Sequence, residues 1–127
     1  MGYISIKLFL FILFVHYLGD FSLQTHKQAQ MKSKDNLYLL YHVLTYSLTW
    51  FFASLIWYET LSLALLFALF TFIAHYITDY FTSRQVSKYF KNEDYHNGFL
   101  VIGFDQILHY IQLLLTFMYL DTIFKIL

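Results

Sequence analysis

The chain has no cysteine, no proline and only 4 glycines, and charged residues fill just 13% of its 127 positions. Without cysteine there is no disulfide framework, no thiolate metal site and no cysteine nucleophile. Without proline, no apolar run is interrupted by one. Soluble domains carry about 25% charged residues, so the shortage of charge argues against an ordinary soluble domain. Lys plus Arg and Asp plus Glu stand at 8 each. That balance gives no basic surface for nucleic acid. What is abundant is apolar and aromatic: 59% of residues are hydrophobic, with 15 Phe and 12 Tyr.

About 20 apolar residues suffice for a helix to cross a hydrocarbon core. Four such runs occur, at about residues 4–23, 37–58, 61–81 and 98–123. They predict an all-α fold, one domain over residues 1–127, built as an integral membrane bundle of four antiparallel transmembrane helices. The first run exceeds a signal-peptide core and no small-residue cleavage site follows it, so it reads as a retained span. Asp35-Asn36 and Thr60 are candidate helix N-caps. Polar stretches at residues 24–36 and 82–97 flank the spans, and the first half of the second can extend the third helix at the membrane surface. Together they hold Lys27, Lys32, Lys34, Arg84, Lys88 and Lys91, leaving only Lys7 and Lys125 at the other side. The positive-inside rule then places both stretches in the cytoplasm of a bacterial inner membrane and both termini outside.

The runs carry a repeated ionisable pair: His16-x-x-x-Asp20, His75-x-x-x-Asp79 and, reversed, Asp105-x-x-x-His109, with a lone His42 in the second run. Residues four apart on a helix point the same way. Two pairs lie late in inbound helices, and the third pair and His42 lie early in outbound ones. All seven therefore fall at one level, in the cytoplasmic half. An ionisable residue inside a span costs roughly 2.5–3.5 kcal/mol even on lenient scales, so seven at one level define a candidate site. Gln24, Tyr46, Gln106, Gln112 and Thr116 are candidate supporting donors. Ala53, Ala74 and Gly103 are candidates for close helix approach. His26 and His96 read as solvated, and Lys27, Lys32 and Lys34 as topology determinants.

His and Asp without Cys suit a divalent metal, zinc first, with manganese and iron as alternatives. The candidate ligands are His16, Asp20, His42, His75, Asp79, Asp105 and His109. The candidate catalytic residues are Asp20, Asp79 and Asp105. The chemistry indicated is metal-dependent hydrolysis of a lipid or lipid-linked substrate. Two alternatives stand beside it. One is a proton or metal-ion transporter, although the outer halves of the spans read as lacking ionisable groups. The other is a non-enzymatic interaction protein in which the cluster ties the helices together. The expected partners are the lipid bilayer, a lipid-linked substrate and further copies of the chain.

The string His16-Tyr-Leu-Gly-Asp20-Phe-Ser-Leu-Gln24, the His42 helix, His75-x-x-x-Asp79 and Phe104-Asp105-Gln106-x-x-His109 together resemble the domain-of-unknown-function 3307 family over nearly the whole chain. The first and last motifs carry most of the specificity, because they fix Gly, Asp, Gln and His at set offsets. The resemblance implies a small polytopic membrane protein of bacteria or phages, and no activity. A looser likeness, by analogy alone, is to small membrane proteins that act as metal-dependent hydrolases.

Overall fold

The structure is a computed structural model that describes residues 4–126. The extreme termini, whose side of the membrane the sequence assigns, lie outside the described residues. The order is α1 (Ile6–Tyr17), a π-helical turn (Leu18–Ser22), α2 (His26–Met31), α3 (Asn36–Tyr58), α4 (Leu61–Lys91) and α5 (Tyr95–Ile126). Among the described residues there is no strand. Helices α3, α4 and α5 are each long and apolar enough to cross a membrane. The first predicted span is not one regular helix: α1 passes without a break into the π turn.

Local chemistry sets the ends. Ser5 Oγ accepts from Leu8 N at 3.1 Å to start α1. Thr25 and Gln28 form a reciprocal capping box on α2. Asp35 Oδ1 accepts from Leu37 N at 2.8 Å to start α3. Thr60 stands at the N-cap of α4, but its hydroxyl donates back to Tyr58 O and makes no capping bond. The reversal there is made by Glu59, whose φ of 53° is left-handed.

At 31 residues, α4 is about 46 Å long at ~1.5 Å per residue, against a hydrocarbon core of about 30 Å. Its last ten residues, Thr82–Lys91, extend the apolar helix as a polar arm, as the sequence suggested. After that arm the chain reverses, and Gly98, in the first turn of α5, comes back against Phe90. A Cβ there would lie 2.1 Å from Phe90 Cε1, so any side chain would displace that ring.

Helix α4 packs against both α3 and α5, and α1 with its π turn packs on α3. Partner positions run in opposite order along α3 and α4 (His42 with His75, Trp50 with Phe67). The same holds along α4 and α5 (Thr82 with Asp105, Phe67 with Phe117), so both pairs are antiparallel. Side chains reach from α1 to α5 through His16 and Gln106, 2.6 Å apart.

The radial distribution is inside-out relative to a soluble protein. Leu61, Leu65, Leu69, Ile73, Ile77 and Phe81 form an exposed stripe along α4, while Thr71, His75 and Asp79 on the opposite face are buried. The interior has two zones. One is an apolar core centred on Trp50, Phe67, Leu113 and Phe117. The other is the polar layer described below.

Two expectations need correction. Gly103 is exposed, and a Cβ on it would meet nothing within 4 Å, so it mediates no close approach. The far half is not free of ionisable groups. Asp121, already inside the predicted run 98–123, lies in the last turns of α5 and accepts from Tyr58 OH at 2.8 Å. Lys7 likewise lies inside α1, its ammonium 5.6 Å from the centre of the Trp57 ring.

Candidate metal centre

Four elements contribute the side chains. Asp20 hangs from the π turn, His42 from the second turn of α3, His75 and Asp79 from consecutive turns of α4, and Asp105 and His109 from consecutive turns just before the middle of α5. The π turn is closed by Leu23 N donating to Leu18 O at 2.8 Å. Such single π turns within helices occur often at functional sites. Gly19 lets this turn press on α3, since a Cβ there would come within 2.9 Å of Tyr46 Cδ2.

Asp20, His42, His75 and Asp79 are all buried, and each offers one ligand atom within 4.8 Å of the others. His42 Nε2 lies 3.1 Å from Asp20 Oδ1, 3.2 Å from Asp79 Oδ2 and 3.0 Å from His75 Nε2. His75 Nε2 lies 3.5 Å from both of those carboxylate oxygens. Ligands bonded at about 2.0–2.2 Å to a tetrahedral ion stand roughly 3.3–3.6 Å from one another. The five separations, 3.0 to 3.5 Å, are close to those edges. One shared proton can join two facing imidazole nitrogens as an N–H···N bond, but that proton is then not free for Asp20 Oδ1, 3.1 Å from the same His42 Nε2. A cation between them satisfies both, and two imidazoles with two carboxylates are a donor set that suits a divalent ion.

The imidazoles are oriented by stacking. Tyr46 lies on His75 with centroids 3.9 Å apart, and His75 lies on His109 at 4.2 Å. The Nδ1 atoms of His42 and His75 make no hydrogen bond within the protein, so ring packing performs the alignment that an outer hydrogen bond often supplies.

Around this set runs a second polar shell. His109 Nε2 is 3.0 Å from Asp79 Oδ1 and 3.2 Å from Asp105 Oδ2. Thr82 Oγ1 donates to Asp105 Oδ1 at 2.6 Å. The Gln106 amide donates to Asp20 Oδ2 at 3.2 Å and to Asp105 Oδ2 at 3.1 Å. That fixes its carbonyl towards His16 Nε2, which donates to it at 2.6 Å. Neutral His16 then accepts at Nδ1 from Tyr46 OH, 2.7 Å away. Asp20, Asp105 and His109 form a second candidate ligand trio, already spanned by the Gln106 amide.

The structure thus brings all seven sequence-predicted residues into one layer. His16 is the outlying member: it falls in neither ligand group, and both its ring nitrogens are engaged by Tyr46 and Gln106. Among the supporting residues, Gln112 bonds Thr71 and Thr116 and ties α4 to α5 further along. Thr45 and Thr49 bond only the backbone of their own helix.

One functional residue is absent from the sequence reading. Lys32 is read there as a topology lysine, yet its Nζ is 2.9 Å from Asp79 Oδ2, itself one of the four ligand atoms. Burial works against its charge, but the Asp79 and Asp20 carboxylates outweigh burial and hold its pKa above the ordinary value. No local signal marks it, because the contact spans 47 positions. Asp20, Asp79 and Asp105 against Lys32 leave two negative charges, which one divalent ion cancels when the imidazoles are neutral.

The layer opens into a cleft of about 690 Å³. Asp20, Asp79, Asp105 and Gln106 line it from the polar layer, together with residues 29–34 and the polar arm of α4.

Fold and site together define a helical membrane protein with a buried His/Asp centre able to hold a metal ion. The chain belongs to family DUF3307, described as a protein of unknown function, whose model matches residues 8–126. No curated protein and no solved structure matches it.

Proposed function

We propose that the chain is a four-span membrane protein that hydrolyses an ester of a lipid or lipid-linked substrate with the aid of a divalent metal, zinc before manganese or iron. The observation that carries this reading is the convergence of Asp20 Oδ1, His42 Nε2, His75 Nε2 and Asp79 Oδ2 at spacings close to tetrahedral edges. In this reading α1 with its π turn is the first span. The basic polar stretches face the cytoplasm of a bacterial membrane, and the cleft opens at the cytoplasmic leaflet.

A divalent ion at this point supplies Lewis-acid activation of a water or an ester oxygen. The protein's own groups supply the rest. Asp20, His42, His75 and Asp79 would hold the ion. Asp105 lines the cleft, with Thr82 and His109 fixing its oxygens, and it takes the proton of the attacking water. The His16–Gln106 link keeps Asp20 in register with Asp105. Transport is supported less well, because Trp50, Phe67, Leu113 and Phe117 pack an apolar plug between this layer and Asp121.

Elemental analysis of the detergent-purified protein tests the reading, beside a variant carrying Asp20→Asn and Asp79→Asn. Stoichiometric metal in the wild type and none in the folded variant is expected. A folded wild type that stays metal-free after dialysis against zinc, manganese and iron overturns it. Metal without turnover across phosphoester and acyl-ester lipid panels removes the hydrolase assignment and leaves a structural ion.

A further inference from the structure

We propose that the cleft binds the phosphate-monoester head of an amphiphile; this deepens the metal-hydrolase reading and rests on it. The first observation is charge. The lining holds three lysines, Lys32, Lys34 and Lys91, against three aspartates, Asp20, Asp79 and Asp105. Lys32 is spent on Asp79. A divalent ion cancels the two remaining negative charges of the lining. Lys34 and Lys91, both exposed, then face the cleft with two positive charges unmatched. A phosphate monoester carries about −1.5 to −2 charges at neutral pH and matches that surplus. A carboxylate leaves half of it unmatched, and a neutral acyl ester all of it.

The second observation is independent of charge. Gln24 and Ser83 line the same cleft, and Gln24 Oε1 and Ser83 Oγ are buried atoms with no hydrogen-bond partner within the protein. Buried polar atoms are nearly always paired. Turned into the cleft from these closed positions, the Ser83 hydroxyl can donate to a phosphoryl oxygen, and Gln24 Oε1 can accept from a phosphate O–H or a headgroup hydroxyl.

The third is shape. Phe21, Val86, Phe90 and Ile102 contribute apolar surface to the lining. Phe21 is also exposed on the outer surface of the π turn. A chain attached to the phosphate therefore has an apolar exit towards lipid, which free phosphate does not use.

The test is calorimetry on the metal-loaded protein in neutral-detergent micelles. The ligand is a short-chain lipid phosphonate, whose phosphorus–carbon bond is not hydrolysed. Methylphosphonate and a neutral lipid alcohol of equal chain length serve as references, and metal content is measured on the same samples. The lipid phosphonate is expected to bind at least about tenfold more tightly than either. The Lys34→Ala, Lys91→Ala double variant is expected to lose about tenfold or more in affinity at unchanged metal content, through lost charge-assisted bonds. Metal present but no phosphonate binding overturns this proposal and leaves the metal centre standing. Equal affinity for methylphosphonate overturns the amphiphile assignment, and equal affinity for the lipid alcohol or in the double variant overturns the phosphate assignment. A protein without metal overturns both readings.

Discussion

Among single residues, Lys32 decides the electrostatics of the centre. Its ammonium sits 2.9 Å from Asp79 Oδ2, in the group of side chains that could hold a metal ion. An ammonium that close to the ligand set opposes the arriving cation, since like charges a few ångströms apart repel by several kcal/mol even at an effective dielectric near 20. Lys32→Ala is therefore expected to bind zinc roughly tenfold more tightly or better, after allowance for relaxation, as measured by competition against a chromophoric chelator. Tenfold weaker binding would show that Lys32 instead holds Asp79 in place. The sequence yields the ligand positions because a four-residue spacing on a helix is a local geometric fact. It does not yield Lys32, whose neighbours Lys27 and Lys34 look identical in a polar run. Nor does it separate His16 from the ligands, because the same His-x-x-x-Asp spacing occurs where α1 passes into the π turn and again in the middle of α4. What distinguishes them is the pair of partners that engage the His16 ring nitrogens, the Tyr46 hydroxyl and the Gln106 carbonyl, 30 and 90 positions away.

Among the elements, the π turn at Leu18–Ser22 is the one with no α-helical substitute. It adds a residue to the turn that carries Asp20, and Gly19 within it lies against Tyr46, whose ring in turn stacks on His75. Apolar periodicity predicts a helix over this stretch and is right about its direction. It cannot register a hydrogen-bond shift from i−4 to i−5, because the side chains involved do not change. Gly19 is the sole cue, and a glycine inside a span is equally a packing residue. The extension of α4 is more legible, since the polar run after Phe81 contains no helix breaker. Deleting Phe21 shortens the π turn to an α turn and swings Asp20 and Gln24 away from the α3 and α4 ligands. The expected outcome is retained helicity by circular dichroism with metal binding at least roughly tenfold weaker, as for loss of a ligand or its support. Undiminished metal binding would show that Asp20 is dispensable.

For the molecule as a whole, the arrangement of the polar layer and the apolar plug determines what it can do. The layer is confined to the end where the π turn, α2 and the polar arm of α4 meet, and Trp50, Phe67 and Phe117 fill the interior beyond it. The polar centre and its cleft thus lie at one end and the apolar core at the other, which is why the side on which the cleft opens matters. Lys88 lies on the cleft-side arm and Lys125 near the far end of α5. The absence of native cysteine makes single-cysteine mapping clean. Lys88→Cys is expected to react with a membrane-impermeant maleimide only in inside-out vesicles, and Lys125→Cys only in right-side-out ones. Reaction of both from one side would break the antiparallel four-span reading. The reverse pattern would keep the bundle but open the cleft to the outside, so that any substrate would have to come from the outer leaflet, beyond reach of cytoplasmic lipid intermediates.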